Sequence, residues 1–134
     1  MRTIITLPLP LLLVRLLLIP IEAHAETIIV CELDMAHTTA TPALPFDMSS
    51  EPNISITIQI DTSTKTATVG DGKCELTENS EARFVVECSR RRDSSTYRID
   101  RHSGQLNAES VYSDKHHTSI VTPGKCQPSR GKLF

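Results

Sequence analysis

Tryptophan is absent from this chain of 134 residues, and the remaining aromatics are few: two tyrosines and three phenylalanines. A core built from it must rely on isoleucine, valine and leucine, which bury less area per residue than aromatic rings do. Glycine is scarce as well, at five residues, and no Gly-rich phosphate loop can be drawn from them. No serine stands in a Gly-x-Ser-x-Gly elbow, so the local signature of one large hydrolase class is missing. The cysteines include no Cys-x-x-Cys pair, which disfavours a zinc knuckle or a thioredoxin-like redox site. A basic excess is missing too. Fourteen lysines and arginines face sixteen carboxylates, for a formal net charge of −2. That balance argues against nucleic acid as a partner. Beyond residue 25 no apolar stripe recurs every 3.6 residues, so amphipathic helices are not expected.

What is present begins with the first 25 residues. Arg2 gives an early positive charge, and an apolar run extends from Ile4 to Ile21. Pro8 and Pro10 disturb its start, Arg15 interrupts it and Pro20 ends it. It falls short of the roughly 20 unbroken apolar residues that a spanning helix needs. Ala23-His24-Ala25, followed by Glu26, forms a small-x-small cleavage site. The segment reads as a secretory signal peptide cut between Ala25 and Glu26. The mature chain is then expected in the periplasm or outside the cell, with no membrane span. Removing 25 residues from 134 leaves 109, the size of one domain. Losing Arg2, Arg15 and Glu22 leaves 12 basic and 15 acidic residues, a net charge of −3.

All four cysteines, Cys31, Cys74, Cys88 and Cys126, lie after the cut. In a small secreted chain they imply two disulfides, with three possible pairings. Cys74 and Cys88 stand equidistant from residue 81. A hairpin turning at Asn79 to Glu81 would set them face to face across its strands. Cys31 and Cys126 would then join the first and last strands. Closing so long a loop is worth on the order of 4 kcal/mol in the chain-entropy view.

The rest of the chain reads as strands. Glu26 to Leu33 is apolar and β-branched. Ile54 to Asp61 alternates four isoleucines with four polar residues, the mark of one buried and one wet face. Thr66 to Val69, the Cys74–Cys88 hairpin, Thr96 to Arg101, Gln105 to Tyr112 and Thr118 to Thr122 follow. Turns are expected at Asp61–Lys65, Asp71-Gly72, His102–Gly104 and Pro123-Gly124, where Asp, Gly and Pro suit turn geometry. Ile60-Asp61 and Ile99-Asp100 open two turns of the same layout. Residues 34–53, rich in Thr and Pro, read as a long loop or arm. The sum is an all-β fold, a small antiparallel sandwich or barrel of about 7–8 short strands stapled by two disulfides. Tyr97-Arg-Ile-Asp100-Arg-His-Ser-Gly104, with the late Gly124-Lys-Cys126, resembles a pattern in small, uncharacterised secreted proteins of proteobacteria. The resemblance covers about the last third of the chain and implies a periplasmic setting, with no activity attached to it.

Candidate chemistry is sparse. His37, His102, His116 and His117 read as solvated loop residues. Adjacent His116 and His117 would point to opposite faces of a strand and could not share one metal there. Asn53-Ile-Ser55 matches a glycosylation pattern that matters only in a eukaryotic secretory route. The most suggestive cluster is basic: Arg90, Arg91 and Arg92, with Arg98 and Arg101 nearby in sequence. Arginine forks suit carboxylates, phosphates and sulfates. Glu75, Glu78, Glu81 and Glu87 on the adjoining hairpin are possible internal partners. The expected function is a non-enzymatic module that binds another envelope or secreted protein, or acts in the manner of an inhibitor. A small barrel carrying an apolar ligand is the alternative, and a hydrolase with a spatially assembled triad is the third reading. No cofactor, catalytic residue or metal site is assigned.

Overall fold

The computed structural model describes residues 26–128. The expected signal segment, including Ala25, lies outside the described residues, as do residues 129–134. The described chain is all-β. Its strands are β1 (Glu26–Leu33), β2 (Thr39–Thr41), β3 (Ile54–Asp61), β4 (Thr66–Val69), β5 (Gly72–Asn79), β6 (Arg83–Ser89), β7 (Asp93–Asp100), β8 (Gln105–Tyr112) and β9 (Ser119–Pro128). A single 3₁₀ turn, Met35–His37, follows β1.

Pairing is antiparallel throughout. β1 pairs with β3, and each strand from β3 to β9 pairs with the next. β9 then pairs back onto β1, from Leu33↔Gly124 to Ile29↔Pro128. Eight strands therefore close into an up-and-down barrel, and β2 adds to β9 alongside β1. Closure leaves few free sheet edges, which protects the fold against edge-to-edge association.

The period-two pattern fixes which face is buried. Ile58 and Ile60 point inward at 0% exposure, as do Ile29, Val86 and Ile99. Ala67, Leu76, Phe84, Leu106 and Ala108 complete the lumen, together with the cysteines Cys31, Cys74 and Cys126. Leu33, Ile56, Val69, Cys88 and Tyr97 are half-buried and pack against this core. No buried side-chain nitrogen or oxygen among the described residues lacks a partner. Isoleucine, small residues and the cysteines thus supply most of the interior, and Phe84 is the one buried aromatic among the described residues.

Both disulfides lie between directly paired strands. Cys31 stands opposite Cys126 on β1 and β9, and the two are bonded. Cys74 and Cys88 are bonded across the β5–β6 hairpin, whose turn lies at residues 80–82. In the strand order these two joints fall on opposite walls of the barrel. Two formed disulfides suit an oxidising compartment. Among the described residues no helix is long and apolar enough to cross a membrane.

Several local readings change, among them the tight turn expected at Asp71-Gly72, which falls at Gly70-Asp71 with Gly70 at φ 61° and Gly72 already opening β5. Residues 34–53 are not one continuous loop. The chain makes its 3₁₀ turn at Met35–His37 and returns to β9 as β2 before leaving the barrel. β7 starts at Asp93 rather than Thr96, because Ser94 and Ser95 pair with Ser89 and Cys88 on one side and with Val111 and Ser110 on the other. Pro123-Gly124 does not turn the chain, and β9 runs straight through it. The physical reason is position. The N–H and C=O of one strand residue face the same side, and the Pro123 carbonyl accepts from Asp34 N at 2.8 Å. The missing proline N–H therefore faces the 3₁₀ turn, where the β1 ladder is already interrupted, and no strand bond is lost. Gly124 is needed for a different reason. A Cβ there would sit 2.5 Å from the Glu32 carbonyl oxygen, so only glycine lets β9 approach β1 this closely.

Candidate binding surface

The two ends of the barrel are built by different turn chemistry. At one end, Asp61 Oδ1 accepts from Ser63 N and Oγ and from Thr64 N, and Asp100 Oδ1 accepts from His102 N and Ser103 N. Lys65 and Gly104, each four residues after its aspartate, adopt left-handed φ of 55° and 75°. The echo between the two Ile-Asp segments is therefore real in three dimensions. These amide and hydroxyl donors hold both carboxyls below the ordinary aspartate range: the Ser63 side-chain contact leads at Asp61 and the Ser103 amide leads at Asp100.

Arg101 belongs to this end. Its guanidinium lies 4.3 Å from the centroid of the Phe84 ring, and Nη1 donates to the Ser80 carbonyl at 2.6 Å. Its backbone N–H donates to Ala82 O. It ties the β7–β8 turn to the β5–β6 turn over the barrel floor, a structural cap by cation–π contact. Arg98 projects outward from the middle of β7 and meets Glu109 at 3.3 Å. Arg83 is engaged by Glu78 at 2.9 Å.

Arg90, Arg91 and Arg92 stand at the opposite end, in the β6–β7 turn closed by Arg90 N donating to Asp93 O. All three side chains are exposed, and among the described residues none has a carboxylate within ion-pair distance. The acidic neighbours weighed from sequence do not reach them. Glu78 is committed to Arg83, and Glu75 and Glu87 face each other across β5 and β6. Arg90 lies beside Gly72, where a Cβ would come 3.6 Å from its Nη2. With Cys74, Cys88 and Tyr97 it lines a small cavity of about 220 Å³.

The five arginines read together from sequence are thus divided by the fold. Three form a free tip, one is paired on the wall and one caps the far end. The structure adds residues that sequence proximity could not supply. Ser113 N donates to Arg92 O at 2.7 Å, so the β8–β9 loop with exposed Lys115, His116 and His117 abuts the tip. The acid in that loop, Asp114, is occupied by His116 N, Thr118 N and the Thr118 hydroxyl. The backbone and hydroxyl contacts of Thr118 are the leading cause of its carboxyl's lowered pKa.

Elsewhere on the outer wall, a broad open groove of about 1270 Å³ runs between β1, β9, β8 and β7. Val30, Glu32, Asn107 and Lys125 are among its lining residues. On the surface, His37 Nδ1 lies 2.8 Å from Asp34 Oδ2. Among the described residues no group of three or more His, Cys, Asp or Glu is placed to hold a metal. No family model matches the chain, and no curated protein or solved structure matches it.

Proposed function

We propose that this chain is a non-enzymatic recognition module of the periplasm or the secreted fraction, delivered by its N-terminal segment. It engages an acidic surface of another envelope or secreted protein through Arg90, Arg91 and Arg92. The observation that carries this reading is a tip of three exposed arginines with no carboxylate within ion-pair distance among the described residues. Arginine recognises carboxylates through paired, geometrically fixed donors. Three such forks stand exposed on the three-residue connection between β6 and β7, with no internal ion pair to break before a partner binds. Lys115 extends the same charge. The filled lumen favours this reading over carriage of an apolar ligand, because a carrier needs interior space that side chains and disulfides occupy here.

The test is capture from an envelope extract at physiological salt, with the native chain and an R90S/R91S/R92S variant as baits. The native chain is expected to retain a specific acidic protein that the variant loses by at least about tenfold, the effect of removing a binding hot spot. Raising the salt should weaken capture, since exposed charges are screened. Equal retention by both baits overturns the arginine reading.

A further inference from the structure

The barrel interior is packed unevenly. Deep on β4 to β7 the inward side chains Ala67, Leu76, Val86 and Ile99 are buried. Nearer the arginine end of the same strands, Val69, Cys88, Ser95 and Tyr97 are only half-buried. These four line a cavity of about 220 Å³ that Arg90 also lines. The wall is held in place: the Cys74–Cys88 disulfide forms part of it, and Ser95 Oγ lies 3.0 Å from Ser110 Oγ on β8. Ligands often bind in the mouths of barrels, and a wall that is already ordered receives one at little conformational cost.

The charge of this lining is one-sided. Lys73 and Arg90 belong to it, and no carboxylate among the described residues does. The Arg90 side chain lies along the end of β5, since a Cβ on Gly72 would stand 3.6 Å from its Nη2. Asp71 and Asp93, the carboxylates nearest in sequence to the lining cations, do not line the cavity. Neither forms an ion pair with Lys73 or Arg90. Ser89, Ser95 and Tyr97 add hydroxyls, which can donate to an anion. An arginine fork pairs with a carboxylate through two parallel N–H donors. The volume sets the size of the occupant. A cavity of about 150 Å³ takes one benzene-sized molecule, so this one has room for a single side chain and not for an extended ligand.

We infer that this cavity is a carboxylate pocket, into which one acidic side chain of the partner inserts beside Arg90. The inference rests on the reading of the arginine tip as a surface for an acidic protein, and it divides the work within that tip. Arg90 holds the inserted carboxylate. Arg91 and Arg92, which do not line the cavity, supply solvated charge that guides the approach.

The first test is an amide NMR titration of the full chain with sodium acetate, against acetamide, sodium chloride and sodium sulfate at equal concentration. Acetate alone is expected to shift Gly72, Cys88, Arg90 and Ser95, and Arg90→Ser should weaken that response by at least about tenfold. Arg91→Ser and Arg92→Ser should leave it within about twofold. Acetate shifts confined to Arg91, Arg92 and Lys115 overturn the pocket and leave the tip's surface role standing. Equal shifts with sulfate overturn the carboxylate assignment. The second test repeats capture from the envelope extract with the three single variants as baits. Arg90→Ser is expected to lose the acidic protein as fully as R90S/R91S/R92S does, while the other two retain most of it. Capture that survives in Arg90→Ser but fails in the triple variant overturns insertion by the partner. Acetate binding in that case assigns the pocket to a free small carboxylate. Equal capture by the native chain and the triple variant overturns the reading of the tip, and the acetate shifts then decide the pocket on their own.

Discussion

The barrel is stapled on two opposite walls, and the two joints are made differently. Cys74–Cys88 spans 14 residues inside one hairpin, whose strands would meet without it. Cys31–Cys126 spans 95 residues and joins the first strand to the last. The first reinforces a local decision of the chain, whereas the second enforces a global one, the closure of the sheet. The closure joint also needs Gly124 against the Glu32 carbonyl, a contact with no counterpart in the hairpin joint. The surfaces beside the two joints differ as well. The hairpin side ends in the arginine tip, and the closure side exposes Ile28 and Val30 on β1, with Glu32 opposite Lys125.

The largest expected effect separates the joints directly. Removing the closure disulfide in C31A/C126A should cost on the order of 4–5 kcal/mol, and removing the hairpin disulfide in C74A/C88A about 3 kcal/mol, since stabilisation grows with the loop closed. Urea midpoints of the two variants measure the difference, and a more damaging loss at the hairpin would reverse the comparison.

Glycine substitutions sharpen it further. Gly124→Ala forces β9 away from β1 and should destabilise by about 1–3 kcal/mol, the usual range for overpacking. Gly72→Ala, beside the hairpin joint, meets the Val69 carbonyl oxygen at an ordinary 3.4 Å and should stay within about 0.5 kcal/mol. Thermal unfolding of the two variants under one condition decides it.

The aspartate turns at the barrel floor serve both walls equally, so they predict a symmetrical effect. Asp61 and Asp100 have carboxyls held below the ordinary range by turn amides and hydroxyls. A depressed folded-state pKa contributes stability above the unfolded value, and that contribution is lost as pH falls through the folded one. Asp61→Asn and Asp100→Asn should therefore lower the melting temperature at neutral pH, and the gap to the native chain should narrow as acid is added. A gap that stays constant down to strongly acidic pH would remove the charge from the explanation.

The smallest stability effect belongs to the arginine tip. R90S/R91S/R92S should leave the unfolding free energy within about 0.5 kcal/mol, because exposed and unpaired side chains contribute little to the fold. A large loss would mean that the tip is structural and would undercut its role in recognition.

Much of this architecture is readable from the chain. β1, β3, β4 and β8 carry their boundaries in the sequence because alternation and turn residues agree there. The disulfide pairing follows from the hairpin about residue 81. Pro123-Gly124 misleads, because a proline in a strand is harmless only where a neighbouring ladder is broken, and the 3₁₀ turn that breaks it lies some ninety residues away. Arg101 misleads in the same manner: its neighbours in sequence are arginines, but its neighbours in space are Phe84 and Ser80. The approach of Lys115 to the tip depends on long-range pairing, which no local pattern encodes.

The most direct test of surface recognition by a filled barrel is methyl NMR on isoleucine-labelled protein mixed with its own envelope extract. The inward methyls of Ile29, Ile58, Ile60 and Ile99 should keep their shifts, while backbone signals at Arg90–Arg92 move as partner binds. Displaced core methyls with an unmoved arginine tip would contradict the account, since they would place the ligand inside the barrel.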